Sequence, residues 1–261
     1  MPEGHTIHSA ARRHRRILVG YSICVSSPQG RFSKEALKLN GNICMGVEAY
    51  GKHLVYEFCN NEFLHVHLGL FGSIRVHEYP ASDPRDTVRV RLAGNYHAID
   101  IIGPTICEIY KKVEVEHLIS RIGPDPLRDN VDPEQVFTRI SKSRSSIGKL
   151  LMDQSVISGI GNIYRTEILW RQSIHPHTPG RELTRSQFQR LWYDIILLLN
   201  IGVKRNAIVT TEDQVNDYKK SKENLNVFAK SSCPRCDSDI VQIDINGRRA
   251  YVCDSCQTLN S

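Results

Sequence analysis

At 261 residues, with 40% hydrophobic and 24% charged side chains, the chain has the composition of an ordinary folded protein. This excludes disorder along its whole length and leaves room for two domains or more. Lys and Arg number 34 against 28 Asp and Glu, a net charge of +6 that suits a phosphate-rich partner without requiring one. No apolar stretch approaches the roughly 18 residues that cross a bilayer. Met1-Pro2-Glu3-Gly4-His5 carries acid and histidine where an export signal carries a basic and then an apolar run. The expectation is a cytoplasmic protein without membrane contact.

The first element in chain order is a helix near 5–18, where Ile7, Ala10, Ala11, His14, Ile17 and Leu18 recur at helical spacing among arginines. From 20 to 110 the pattern changes to short runs such as 22–25, 54–58 and 88–92, divided by Gly, Pro and Asn turns, with Gly94-Asn95 at a hairpin tip. That is the signature of a β-sandwich or barrel. Cys24, Cys44, Cys59 and Cys107 lie among apolar neighbours here and read as small core residues.

Gly123-Pro124-Asp125-Pro126 breaks the chain, because two prolines exclude a continuous helix. Helical periodicity follows. Asp132-Pro133-Glu134 supplies a cap, a first-turn proline and an acid for a helix to about 141. A second helix is expected near 146–154, and a third beginning after Gly159-Ile160-Gly161 and continuing to about 171. A fourth runs from Thr184, with Gln187 completing a capping box, to about 200. Residues 204–226 are polar and lysine-rich and read as a mobile loop or linker. The domains expected are 1–115, 116–226 and 227–261.

Cys233-Pro-Arg-Cys236 and Cys253-Asp-Ser-Cys256 are two C-x-x-C pairs separated by sixteen residues, 237–252. In a reducing compartment this spacing reads as a structural zinc ribbon, one ion per chain, with strands before and after an Asn246-Gly247 turn. Four thiolates leave no open coordination position for catalysis. Arg248 and Arg249, just past the turn, are either phosphate-gripping side chains on a rigid hairpin or a solvated tip. The two glycines of 159–161 allow a tight turn ahead of Asn162, which heads a helix where anions are favoured, or simply caps it.

Taken together, Pro2-Glu3-Gly4, Gly51-Lys52, His67-Leu68-Gly69-Leu70-Phe71-Gly72, Arg121-Ile122-Gly123-Pro124-Asp125, the stretch Leu150 to Trp170 and the four cysteines resemble the formamidopyrimidine-DNA glycosylase and endonuclease VIII family. The resemblance covers nearly the whole chain. The Pro-Glu-Gly start and Gly-Asn-Ile-Tyr-Arg-Thr-Glu-Ile-Leu-Trp are more similar to the endonuclease VIII branch. It implies an α+β multidomain fold: an N-terminal helix with a β-sandwich, then a helical domain with a helix–two-turns–helix motif, then a C-terminal zinc-finger β-hairpin. It also implies damaged double-stranded DNA as partner, lying across the cleft between the two main parts, with a monomeric enzyme that needs no small-molecule cofactor.

The implied activity is a DNA glycosylase and lyase directed at oxidised bases, pyrimidines in this branch. Pro2, freed by removal of Met1, is the implied nucleophile at C1′, and its secondary amine yields an iminium that stays cationic and drives strand cleavage. A generic α-amino group is about a tenth to a fifth free base near pH 7, so the site must assist. Glu3 is the implied proton shuttle, against the plainer reading of a helix-start acid. Lys52 is implied to contact phosphate and assist elimination, against a plain surface charge. His67, Arg121, Asn162 and Arg248 are implied phosphate clamps, Arg248 also aiding the second elimination. Leu70 and Phe71 resemble the wedge that fills the vacated base stack, against core packing. Two departures stand out. Gly69 replaces a glutamine common in endonuclease VIII relatives, and Phe228-Ala229-Lys230-Ser231-Ser232 replaces a Tyr-x-Arg run before the finger. A purine-directed relative, a lesion-binding relative without lyase chemistry, and an RNA-binding protein sharing the helical hinge are the competing readings. The Pro2-Glu3 start disfavours the last two.

Overall fold

The apolar stripe at the start of the chain becomes α1 (Gly4–Leu18), which buries Ile7, Ala11, His14 and Leu18 and leaves Arg12, Arg13, Arg15 and Arg16 in solvent. The computed structural model describes residues 2–129, 131–211 and 224–259. The chain forms two units, Met1–Arg121 and Ile122–Ser261.

In the first unit, α1 is followed by β1 (Cys24–Ser26), α2 (Ser33–Leu39), β2 (Cys44–Tyr50), β3 (His53–Phe58), β4 (Phe63–His67), β5 (Ser73–Glu78), β6 (Val88–Ala93), β7 (His97–Ile102), β8 (Ile106–Tyr110) and α3 (Lys112–Arg121). The strands make two four-stranded antiparallel sheets, ordered β1-β6-β7-β5 and β2-β3-β4-β8. Leu54, Tyr56, Leu64 and Val66 of one sheet share a core with Val90, Leu92, Ile99 and Ile101 of the other, as a sandwich requires. The β6–β7 hairpin turns at Gly94-Asn95, with Gly94 N–H donating to the His97 carbonyl at 2.9 Å.

α1 docks through polar as well as apolar contacts. His14 Nδ1 pairs with the Tyr56 hydroxyl at 2.7 Å, and Arg15 donates to the Val47 carbonyl at 2.7 and 3.1 Å. Burial, with the nearby Arg13 charge second, pushes His14 down to about 3, while burial raises the Tyr56 phenol, so the pair is neutral.

Three sequence expectations change here. α2 and α3 were not anticipated: α2 spans seven residues, too few for a period to show. In α3 only Val115 is buried, so charged side chains mask its apolar stripe. Cys44 and Cys107 are buried as expected, but Cys24 and Cys59 are exposed. Cys24 occupies an outward position of β1, where alternation turns only Val25 inward.

The second unit contains α4 (Pro133–Ser141), α5 (Ile147–Leu150), α6 (Asn162–Arg171), α7 (Arg185–Arg205), β9 (Val241–Ile245) and β10 (Arg248–Val252). The Asp132 side chain accepts from Glu134 N–H, and Thr184 with Gln187 forms a reciprocal capping box. α5 is a single turn, not the helix expected over 146–154. Side chains beyond it capture the backbone: Asp153 accepts from Ser155 N–H at 2.9 Å, and the Gln154 amide bonds Met152 O, Ile160 O and Gly159 N–H, each at 3.0 Å. Such local bonds compete with the helical ladder, and consecutive turns result. α7 runs five residues past its expected end and stops where Asn206 turns left-handed, φ 51°.

Part of the expected loop 204–226 is firmly held. Glu167, fully buried on α6, accepts from Thr210 Oγ1 (2.6 Å), from the Asn226 backbone and side chain (2.8 and 3.0 Å), and from Val227 and Phe228 N–H (2.9 and 2.7 Å). A carboxylate with this many donors satisfies its own burial. Residues 212–223, the rest of that expectation, lie outside the described residues.

Candidate functional site

In the first unit the candidate residues gather at the start of α1 and on the outer face of β3 and β4. Pro2 is half-buried, and Glu3 is 0% exposed. Glu3 is the N-cap residue of α1, and its carbonyl accepts from Thr6 N–H at 2.9 Å, but its carboxylate makes no capping bond. Glu3 thus stands at the helix start, where an acid favours the dipole, but its side chain does not cap the helix. Lys52 sits in the two-residue turn Gly51-Lys52 between β2 and β3.

Antiparallel register places His53 opposite His67, and alternation places His65 on the same face. The three imidazoles cluster: His53 Nδ1 lies 2.9 Å from His65 Nε2, the His53 and His67 rings are 4.8 Å apart and tilted, and the Tyr110 ring lies 4.6 Å from His65. Burial is the first cause lowering all three. It takes His53 to about 3, aided by the charges of His65, His67 and Lys52, and His65 to about 4, aided by His67. His67 is also lowered, by burial first and by the charge of Lys52 second. Arg121, exposed at the end of α3, acts electrostatically on Tyr110. Lys52, His67 and Arg121 were legible as candidates in the sequence; His53, His65 and Tyr110, packed in ring contact with one another and with His67, were not. The His-x-His spacing of 65 and 67 on a strand was the available signal.

His67 Nδ1 accepts from Gly69 N–H at 3.2 Å. That bond leaves the ring proton on Nε2, a donor suited to an anion. The turn that follows exposes Leu70 by 45% and Phe71 by 92%, so neither is core packing. Gly69 has φ +66°, and a Cβ there would stand 1.9 Å from Thr105 Oγ1. The missing glutamine thus has a structural counterpart: Thr105 occupies the space a side chain at 69 would need.

In the second unit the N-cap of α6 is Gly161, and Asn162 is its first residue. Asn162 is therefore not the cap. Its amide donates to the Arg249 carbonyl at 2.9 Å and its oxygen accepts from Arg165. β9 and β10 join through Asn246 (φ 54°) and Gly247 (φ 75°), the left-handed pair of a two-residue hairpin turn, and Arg248 follows on the exposed tip.

The four Sγ atoms of Cys233, Cys236, Cys253 and Cys256 lie within 4.8 Å of one another, with separations of 3.8, 3.5 and 3.4 Å among the closest pairs. Arms of about 2.3 Å to a tetrahedral ion would set thiolates about 3.8 Å apart, so the cluster fits a metal of zinc's size. Trp170 Nε1–H donates to Cys233 Sγ at 3.3 Å, as outer partners of metal ligands do. Arg235, inside the first Cys pair, stacks 3.9 Å over Trp170 and donates to the Trp170 and Arg171 carbonyls, each at 3.0 Å. It caps the negative end of α6. Phe228, in the unusual segment before the finger, packs against Tyr251 at 4.9 Å.

Residues 1–100 match the family model described as formamidopyrimidine-DNA glycosylase N-terminal domain, and residues 122–214 the formamidopyrimidine-DNA glycosylase H2TH domain. The chain is 38% identical to Endonuclease 8 1 of Mycobacterium tuberculosis (strain ATCC 25618 / H37Rv), covering 99% of this chain and 100% of that protein. It is 28% identical to the formamidopyrimidine-DNA glycosylase of Lactococcus lactis subsp. lactis (strain IL1403), over 98% and 99% of the two chains. Among solved structures, MutM in complex with DNA containing carbocyclic 8-oxo-G superposes with a TM-score of 0.83 at 25% identity, over 99% of this chain and 100% of that one. No described helix is long and apolar enough to cross a membrane.

Two outcomes follow from this geometry. Gly69→Gln should destabilise the protein by about 2 kcal/mol or more in urea melts, from left-handed strain plus the Thr105 collision. Adding Thr105→Ala should recover part of the loss; a Gly69→Gln protein as stable as the original would contradict the collision. The second outcome concerns acid. His5 and His65, at about 4, and His14 and His53, at about 3, all sit below the usual 6.5. The unfolded chain therefore binds more protons. Stability is complete above about pH 6.5 and falls toward pH 4, each group adding up to about 1.4 kcal/mol per pH unit. Melting temperatures should be flat from pH 7 to 8 and drop steeply below 6, and His53→Phe/His65→Phe should shallow that drop. A flat profile down to pH 4.5 would contradict it.

Proposed function

The chain belongs to the formamidopyrimidine-DNA glycosylase and endonuclease VIII family of base-excision-repair DNA glycosylases, and we propose that it is a bifunctional glycosylase and lyase that removes oxidised pyrimidines through Pro2. The observation that carries this reading is the burial of Glu3 beside Pro2 with no side-chain capping bond. A buried acid adjacent to an amine is the pair the chemistry needs.

With Met1 removed, the Pro2 nitrogen attacks C1′ of the flipped nucleotide and the bond from C1′ to the base breaks, the base leaving with a proton. Glu3 delivers a proton to the ring oxygen as the sugar opens, and the product is an iminium at C1′. Loss of a C2′ proton then expels the 3′ phosphate. Loss of a second proton, at C4′, expels the 5′ phosphate, leaving a one-nucleotide gap with phosphate at both ends. Lys52 assists the first elimination and Arg248 the second. The neutral Nε2–H of His67, with Lys52, Arg121, Asn162 and Arg248, binds backbone phosphates. Leu70 and Phe71 enter the stack that the lesion vacates; their exposure supports that role.

We assign zinc to the four cysteines on the fit of their spacing, one ion per chain, holding the hairpin that carries Arg248. Residues 1–115, 116–226 and 227–261 are our working domains. The endonuclease VIII branch, and with it pyrimidine preference, rests on the 38% identity to Endonuclease 8 1.

The test is a panel of duplexes bearing an oxidised pyrimidine, 8-oxoguanine, a formamidopyrimidine or an abasic site. Cleavage should be fastest on oxidised pyrimidine and abasic duplexes, with phosphate on both sides of the gap, and Pro2→Gly should lower the base-excision rate at least about 100-fold, the scale of losing an activated group. Faster cleavage of the purine lesions would transfer the reading to that substrate class. Tight binding without cleavage, unchanged by Pro2→Gly, would reduce the protein to a lesion-binding relative.

A further inference from the structure

Arg165 lies one turn into α6 and is 1% exposed, an unusual place for a guanidinium. Its Nη2 donates to Asn162 Oδ1 and, at 3.1 Å, to the Arg249 carbonyl; Nη1 makes a longer contact, 3.4 Å, with the Gly148 carbonyl. Asn162 donates to that same Arg249 carbonyl. Three segments distant in sequence thus converge on one planar fork: the turn at α5, the head of α6 and the finger hairpin.

The hairpin register explains why this carbonyl is available. Arg248 pairs with Ile245 across a two-residue turn, so that pair exchanges backbone bonds and the next, Arg249 with Asp244, does not. The Arg249 carbonyl therefore points off the free edge of β10. Alternation also puts Arg248 on the face of Ala250 and Val252, both buried, at the first position after the turn. A separate contact fixes the other strand: a methyl at Gly148 would stand 2.9 Å from Ile245 Cδ1, so the hairpin tip is seated directly on that glycine. Zinc-module contacts secure the opposite end of α6, through Arg235 and Trp170, but they are far along the hairpin from Arg248.

We propose that Arg165 is a positioning residue, which holds the Arg249 carbonyl against the head of α6 and thereby aims the neighbouring Arg248 at DNA phosphate alongside Asn162. The proposal rests on the reading of Arg248 as a phosphate contact. Its chemistry is that of a fork: a guanidinium bridges two acceptors in one plane, which a lysine ammonium on a flexible stem does not reproduce.

The test uses the full-length, zinc-loaded protein and a duplex with a tetrahydrofuran abasic analogue. Affinity is measured against salt for Arg165→Met, Arg165→Lys, Arg248→Ala and the double variants. Arg165→Met should weaken binding about tenfold and flatten the log–log salt slope by about one unit, as Arg248→Ala does. In the Arg248→Ala background it should cost nothing further, within about twofold, because both act through one contact. Arg165→Lys should lie between wild type and Arg165→Met, with the same loss of effect when Arg248 is absent. Additive losses, or full affinity in Arg165→Met, would overturn the proposal. So would loss of zinc or of cooperative unfolding in both Arg165 variants, which would make Arg165 a folding residue. Cleavage by the wild-type protein is scored separately: binding without cleavage would sink the lyase reading and leave the coupling of Arg165 to Arg248 standing.

Discussion

The docking of α1 on the β2–β3 hairpin is the constraint on which the chemistry proposed for Pro2 depends. A reacting amine at a chain end is useful only if the end is held still, and free termini ordinarily are not. Here Ile7, Ala11 and Leu18 bury one face of the helix, while the His14–Tyr56 pair and the Arg15 bond to the Val47 carbonyl fix its rotation and axial position. Tyr56 lies on the strand that Lys52 opens, and that strand pairs with the one ending in His67. One hairpin therefore carries the docked helix α1, the lysine turn and, across the β3–β4 pairing, the imidazoles of His53, His65 and His67. The His14–Tyr56 and His53–His65 pairs are neutral at physiological pH, which is how this arrangement tolerates buried histidines.

In the second unit the equivalent constraint is α6. Its head is tied to the finger through Asn162 and Arg165, its tail through Arg235 and Trp170, and its middle to the segment around 224–228 through Glu167. A hairpin of two five-residue strands has little core of its own, so the four thiolates and this helix supply its order. The consequence is that the proposed metal site and the proposed phosphate contact of Arg248 belong to one assembly, because the head of α6 bonds the residue next to Arg248.

Much of this was legible in the residues. Two C-x-x-C pairs with an Asn-Gly turn between them predict the finger, because tetrahedral thiolate geometry and left-handed turn residues are local requirements. The Thr184 box and the Asp132-Pro133 start were legible for the same reason. What stayed hidden depends on distant partners. Asn162 could be read as a cap or an anion site, but its bond to the Arg249 carbonyl crosses more than eighty positions. The 146–154 helix was overestimated because the side chains of Asp153 and Gln154 capture backbone that a periodicity count assigns to the ladder. Cys24 and Cys59 were misjudged because neighbouring apolar residues do not reveal that Cys24 faces outward on β1 or that Cys59 falls in the turn after β3. The imidazole cluster needed a register between strands before His53 and His67 became neighbours.

The most direct measurement is the site of covalent attachment. Borohydride reduction of the protein on an abasic duplex, followed by digestion and peptide mass mapping, would locate the deoxyribose. The account predicts one adduct, on the nitrogen of Pro2 in a chain lacking Met1. An adduct on Lys52 or any other side chain, with Pro2 unmodified, would contradict it.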